Sequence, residues 1–314
     1  MRILPFLCAL ILTAGCGSTP VRETPAAAPP PSNPGDAEPE MPAQETPVAF
    51  IEDQPVTWRA VVDHAMAGRG KELIDKYILW KLRRDKLDEL AITNSKDDLR
   101  KRAQLLVDAV RASAGPEALK KKLEELKLTE AAYVEKFASN GEFDEHVRNE
   151  KAVAYTLVTE ASIEIDTVAF TNDEEAGAFL ALAGRTSFGE AAERLATTPN
   201  VQGRVAHWPR YRFARGIAPD AIAASPDLER KLFTMKKGQT TGVERTSKGI
   251  LVVIHIVETH AANPAPYASV ADRVLAEVLR QPPSEDQIRL WIERLFKSKR
   301  IRYEDRYTPG NQGR

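Results

Sequence analysis

The hydrophobic period of this chain changes twice, and that change constrains its fold more than any other feature. Between residues 57 and 160 apolar residues recur at three- and four-residue steps: Leu73, Ile74, Tyr77, Ile78, Trp80, Leu82, Leu87 and Leu90 in one run, Leu99, Leu105, Leu106 and Val110 in the next. That spacing lays them along one face of amphipathic helices. At Ile163 the period becomes two: Ile163, Ile165, Thr167 and Ala169 alternate with Glu164, Asp166, Val168 and Phe170, the pattern of a strand. Helical spacing returns after Pro264 and Pro266, over residues 270–279 and 284–297, before a short tail strand at 300–303. Helices, then a mixed segment, then helices predict an α+β fold with a small sheet.

Local signals place the boundaries. Thr57 is an expected N-cap after a strand, a turn and a second apolar pair from Val48. Ser95 with Asp98, Thr171 with Glu174 and Ser187 with Glu190 predict capping boxes. Gly115-Pro116 ends or restarts a helix, and Thr129 is expected to cap a long one running through Tyr133, Phe137, Phe143, Val147 and Val153 to about Val158. Residues 200–216, with Trp208, Tyr211 and Phe213, read as irregular. A helix over 228–235, a strand over 241–245 and a strongly apolar strand over 250–257 follow, with turns at Lys237-Gly238 and Lys248-Gly249.

The N-terminus reads as an export signal. Arg2 precedes an apolar run of ten residues, Ile3 to Leu12, too short to span a bilayer core of about 30 Å. Thr13-Ala14-Gly15-Cys16 resembles a bacterial lipobox, although Thr13 stands where such boxes usually have Leu; the resemblance makes Cys16 the lipidated residue and residues 1–15 a signal peptide. With Gly17 rather than Asp after it, the pattern resembles sorting to the outer membrane. Nine prolines between Gly17 and Pro47 predict an extended spacer over 16–47. The two cysteines, Cys8 and Cys16, leave none for a disulfide or Cys-based zinc site in the body. With 44 basic and 45 acidic residues, the chain lacks the basic field that nucleic acid requires, and Lys120-Lys121-Lys122, followed by Glu124-Glu125, reads as a solvated helix face. No glycine-rich phosphate loop lies between a strand and a helix, and the only His pair near metal spacing, His255 and His260, reads as a strand and the loop after it. No cofactor, metal or small-molecule substrate is expected.

Several stretches, taken in order, resemble the SurA, PpiD and PrsA type of extracytoplasmic foldase: VAFIEDQPVTWRAVV at the start, LIDKYILWKLRRDKLDELAITNSKDDLRKR, and KLEELKLTEAAYVEKF. The mixed segment resembles a parvulin domain, with Phe188 and Ala192 matching its F-x-x-x-A helix, Gly203 to Trp208 its GGDLGW stretch, and Leu232-Phe233 preceding Lys237-Gly238. Asp272 to Ile301 is similar to the terminal helix and strand that fold back onto the N-terminal lobe. The resemblance implies a mostly helical lobe built from residues 48–160 and 261–314, with a parvulin-like domain inserted at 161–260. It implies a periplasmic chaperone, tethered through Cys16, that binds unfolded envelope or outer-membrane proteins.

The domain departs from the family at its site. Active members are similar in carrying two facing imidazoles, and those positions fall here on Thr167 and Leu251. The acidic or Cys position should lie in 197–201, which contains neither, and two glycines of the GGDLGW match are Arg204 and His207. Four strand residues, about 13 Å, separate His255 from Leu251, too far for His255 to stand in. The resemblance leaves Thr167, Trp208, Ile217, Leu228, Phe233 and Leu251 as a peptide cleft, with core packing as the other reading of the apolar ones. Three functions stay open: a chaperone with a non-catalytic domain, a prolyl isomerase with a non-standard site, and a lipoprotein scaffold for one dedicated exported partner.

Overall fold

The computed structural model describes residues 47–51, 54–198, 205–218, 222, 225–246 and 249–301. Cys16, the signal segment, most of the spacer, Gly203, Arg204 and the tail strand expected at 300–303, apart from its first two residues, lie outside them. The chain divides into two compact units, residues 1–65 and 66–314.

In the first unit β1 (Pro47–Ile51) pairs antiparallel with β2 (Gln54–Thr57). The Thr57 hydroxyl accepts the Ala60 N–H at 3.3 Å, as an N-cap does for the opening of α1 (Trp58–Glu89). The backbone of α1 leaves helical geometry at Arg69 (φ −138°, ψ 19°), so two helical stretches meet there.

The second unit continues with α2 (Lys96–Ala114), α3 (Pro116–Leu126), α4 (Glu130–Ala138) and α5 (Gly141–Thr159). Ser95 and Asp98 form the expected capping box on α2, and Pro116 opens α3 where its missing N–H costs nothing. The long helix expected after Thr129 is two: Ser139 ends α4, and the Asn140 side chain accepts the Phe143 N–H to start α5. Leu99, Ala103, Val107, Leu119, Tyr133, Phe143 and Val147 form the core of α2–α5.

After α5 come β3 (Ser162–Phe170), α6 (Asp173–Ala183), α7 (Phe188–Ala196), β4 (Val205–Ala214), α8 (Pro226–Leu232), β5 (Glu244–Arg245) and β6 (Leu251–His260). The strands form one antiparallel sheet in the order β4-β3-β6-β5. Both faces are covered. Ile163, Ile165, Ala169, Val252, Ile254 and Ile256 pack with Phe213 and with Leu228 and Leu232 of α8 on one side. Val168, Phe170, Leu251 and Val253 pack under Ala176, Phe179, Phe188 and Ala191 of α6 and α7 on the other. Burial on both faces is why β6 reads as an almost unbroken apolar run; each such side chain contributes about 1.5–3 kcal/mol.

Three further local expectations are corrected. Residues 205–214 are a strand, β4, rather than irregular. It hides in the sequence because it contains Pro209 and a bulge, where Arg210 takes φ +30° and its N–H is accepted by Asp166 Oδ1 at 2.6 Å. Proline belongs on an edge strand, since it has no N–H to give the ladder. The cap of α6 is Asn172, accepting from Glu175 N at 2.8 Å, one residue later than the Thr171 box. His260 ends β6 instead of lying in a loop.

The C-terminal helices α9 (Tyr267–Arg280) and α10 (Glu285–Lys297) return to α5. Val270, Val274 and Val278 of α9 pack on Ala154 and Val158. Ile288 and Trp291 of α10 join Leu87, Ile92, Ala152, Val153 and Leu157 in a cluster that also takes in Ala214 and Ile217 from the end of β4. Helices and sheet therefore share core side chains. Gln281 Nε2 and Gln287 Nε2 donate to the Arg210 and Arg212 carbonyls, which shields part of the β4 edge from pairing with another strand.

Candidate functional site

The sheet face beneath α8 is where Thr167 lies. Its cross-strand partners are Trp208 on β4 and Ile254 on β6, and opposed residues share a face. Thr167 is buried, whereas Trp208 is 40% exposed. Ile163, four residues back along β3, opposes Phe213, whose ring meets Phe233 edge-on at 5.7 Å. The Arg215 guanidinium sits 4.9 Å over the same Phe233 ring, a cation–π contact. Trp208 at one end and the Phe213–Phe233 pair at the other thus bound an apolar strip of this sheet face, about 13 Å along β3, whose middle residues Ile163, Ile165 and Ile254 are buried core. Tyr211 and Met235 pack on its flank, and Leu228 is buried in the cluster and backs it.

Two of the expected cleft residues do not join the strip. Ile217 is fully buried in the cluster between the end of β4, α5 and α10. Leu251 opposes Phe170 and is buried under α6 and α7, on the face opposite Thr167. The residue at the start of β6 that shares the Thr167 face is Val252. Neither Thr167 nor Val252 carries an ionisable group, and of the residues that form the strip Arg215 alone is charged. Arg215 and Met235 carried no signal in the sequence, because each is set by how the chain leaves β4 or α8.

Both candidate histidines lie on the other face. The His255 ring stacks on Phe188 at 5.2 Å, and its Nδ1 is 3.0 Å from the Thr240 hydroxyl. Burial lowers its pKa, partly offset by the charge of Asp166. His207 opposes Val168, and its Nε2 is buried without a hydrogen-bond partner among the described residues. Thr197, within the expected acidic segment, is exposed and bonds to the Glu193 and Arg194 carbonyls at the end of α7. Among the described residues no group of three or more His, Cys, Asp or Glu side chains could hold a metal ion, and no helix is long and apolar enough to cross a membrane. A cavity of about 680 Å³ lies away from the strip, between the end of α2, α3 and the start of α4, over Leu119, Leu123 and Leu128.

Residues 155–272 match the family model of the PPIC-type PPIASE domain, the peptidyl-prolyl isomerase domain of the parvulin kind. The chain carries a PPIC-type domain. No curated protein matches the chain. Among solved structures it is similar to the peptidylprolyl isomerase PrsA of Bacillus cereus, at 13% identity over 84% of this chain and 96% of that one, with a TM-score of 0.25. It is similar to the foldase protein PrsA of Streptococcus pneumoniae at 10% identity, over 83% and 97%, TM-score 0.29. A third is one of two SurA-like chaperones of Campylobacter jejuni, at 15% identity, over 82% and 100%, TM-score 0.24. The PPIC-type domain starts inside α5 and ends inside α9, so it shares both helices with the rest of the second unit.

Proposed function

We propose that this protein is an envelope foldase that binds unfolded or partly folded exported proteins and whose PPIC-type domain holds prolyl segments without isomerising them. One observation carries the reading: the Thr167 face keeps its aromatic ends, Trp208 and Phe233, while Thr167 and Val252 stand there without an imidazole. Rotation about an X-Pro bond faces a barrier of about 18–20 kcal/mol, and lowering it takes groups placed on the twisting amide, not apolar contact alone. An apolar strip still favours extended, apolar chain, with low sequence specificity. Attachment through Cys16, with the body in the periplasm and the outer membrane as the membrane, belongs to the same proposal and rests on the lipobox resemblance and the proline-rich spacer.

The match to the PPIC-type domain favours a second reading, isomerase activity through a site of other composition. The test for the first is aggregation of an unrelated denatured protein, followed by light scattering, with the body present in several-fold molar excess. Slowed aggregation is the expected result. Unchanged aggregation, together with crosslinking in intact envelopes to a single stoichiometric partner, would replace it with a scaffold dedicated to that partner.

A further inference from the structure

His146, on α5, stands between two carboxylates from different parts of the chain. Its Nε2 is 3.1 Å from Glu150 Oε1, one turn on along α5, and its Nδ1 is 3.5 Å from Glu285 Oε1, in the first turn of α10. From α2, Arg102 faces the same group through its paired bonds to Glu150. A carboxylate can only accept, and a neutral imidazole has one N–H. Nε2 is within hydrogen-bond distance of Glu150, while Nδ1 stands in ion-pair range of Glu285 without a hydrogen bond, so a protonated ring is attracted to both carboxylates at once and a neutral ring loses the attraction to Glu285. We infer that His146 is a proton-operated latch that fastens the N-terminus of α10 to α5.

The surroundings agree with the geometry. Burial opposes the charge on His146, but the Glu150 hydrogen bond and the charges of Glu150 and Glu285 outweigh both that and the repulsion of Arg102, and the imidazole pKa lies above its ordinary 6.5. A group raised in the folded state contributes fully below 6.5 and loses its contribution as pH rises through the folded-state value. The latch is closed below pH 6.5 and released as the pH rises through the higher folded-state value. Glu150 keeps Arg102 when the proton leaves, whereas Glu285 loses its ion pair with His146. What is released is therefore the start of α10, the helix whose Ile288 and Trp291 fill the cluster against α5.

The test uses the full-length chain. The five histidines give few enough imidazole resonances to titrate by NMR, and His146 is the one missing from His146→Gln. It is expected to titrate above 6.5 in the wild type and lower in Glu285→Gln, a surface change that leaves the Arg102–Glu150 pair intact. In parallel, hydrogen exchange of the amides of residues 285–297, corrected for the intrinsic rate, is compared at pH 6 and pH 8.5. Protection in the wild type should fall about two- to fivefold, the range of a half-exposed ion pair, and the fall should vanish in Glu285→Gln. Titration of His146 at or below 6.5 would overturn the latch. So would equal protection at the two pH values, or a Glu285→Gln protein that keeps the wild-type dependence.

Discussion

Replacing Arg102 with Leu tests the ionic core that joins α2 to α5. Arg102 Nε and Nη2 donate to the two Glu150 oxygens at 2.8 and 2.7 Å, and the side chains are 7% and 0% exposed. Breaking a buried pair of this kind costs about 3–5 kcal/mol, because it strands the surviving charge. His146 still donates to Glu150, which places the expected loss near the lower end, about 3 kcal/mol. Replacing both partners, Arg102→Leu with Glu150→Leu, should recover most of that loss, since neither charge of the pair is left buried without the other. Burial pushes the Glu150 carboxyl up, but His146 and Arg102 together hold it below its ordinary 4.5. Its contribution is therefore present above pH 4.5 and is lost as pH falls through the lower folded-state value. The assay is urea unfolding followed by far-ultraviolet circular dichroism at pH 7 and pH 4, for the wild type and both variants. A single variant that loses less than about 1 kcal/mol, or a double variant less stable than the single, would refute the reasoning.

Trp291→Ala should cost about 3–5 kcal/mol, the range for emptying a large buried aromatic site, and Trp208→Ala well under 1 kcal/mol, because Trp208 is half in solvent; thermal melts of the two distinguish a core tryptophan from one that serves binding. Trp208→Ala should nonetheless weaken binding of a proline-containing peptide measured by calorimetry. Cys16→Ser should abolish acylation and move the body from the membrane to the soluble periplasmic fraction, read by fractionation and by lipid mass on the wild type.

Much of the fold could be read locally, and the misses share one cause. The boxes at Ser95 and Ser187 are contained in four residues each, so sequence alone locates them. β4 was hidden because Pro209 and the bulge at Arg210 break its alternation, and the bulge is held by Asp166, a residue of another strand. The site suffered most from register. β6 is apolar on both faces, so nothing in its sequence says which residues look toward Thr167; the pairing of Thr167 with Ile254 decides it and sends Leu251 to the other side. Ile217 is likewise apolar in either setting, and only the return of α10 shows that it is core.

The PPIC-type domain is proposed to bind prolyl peptide without turning it. Uncatalysed X-Pro isomerisation takes tens to hundreds of seconds, so even modest catalysis stands out in NMR exchange measurements on a short X-Pro peptide with the body present. Binding without catalysis gives peptide shifts that saturate with added protein and an exchange rate equal to the uncatalysed one. An accelerated rate that disappears in Phe233→Ala or Thr167→Val would contradict it and make the strip between Trp208 and Phe233 an active site.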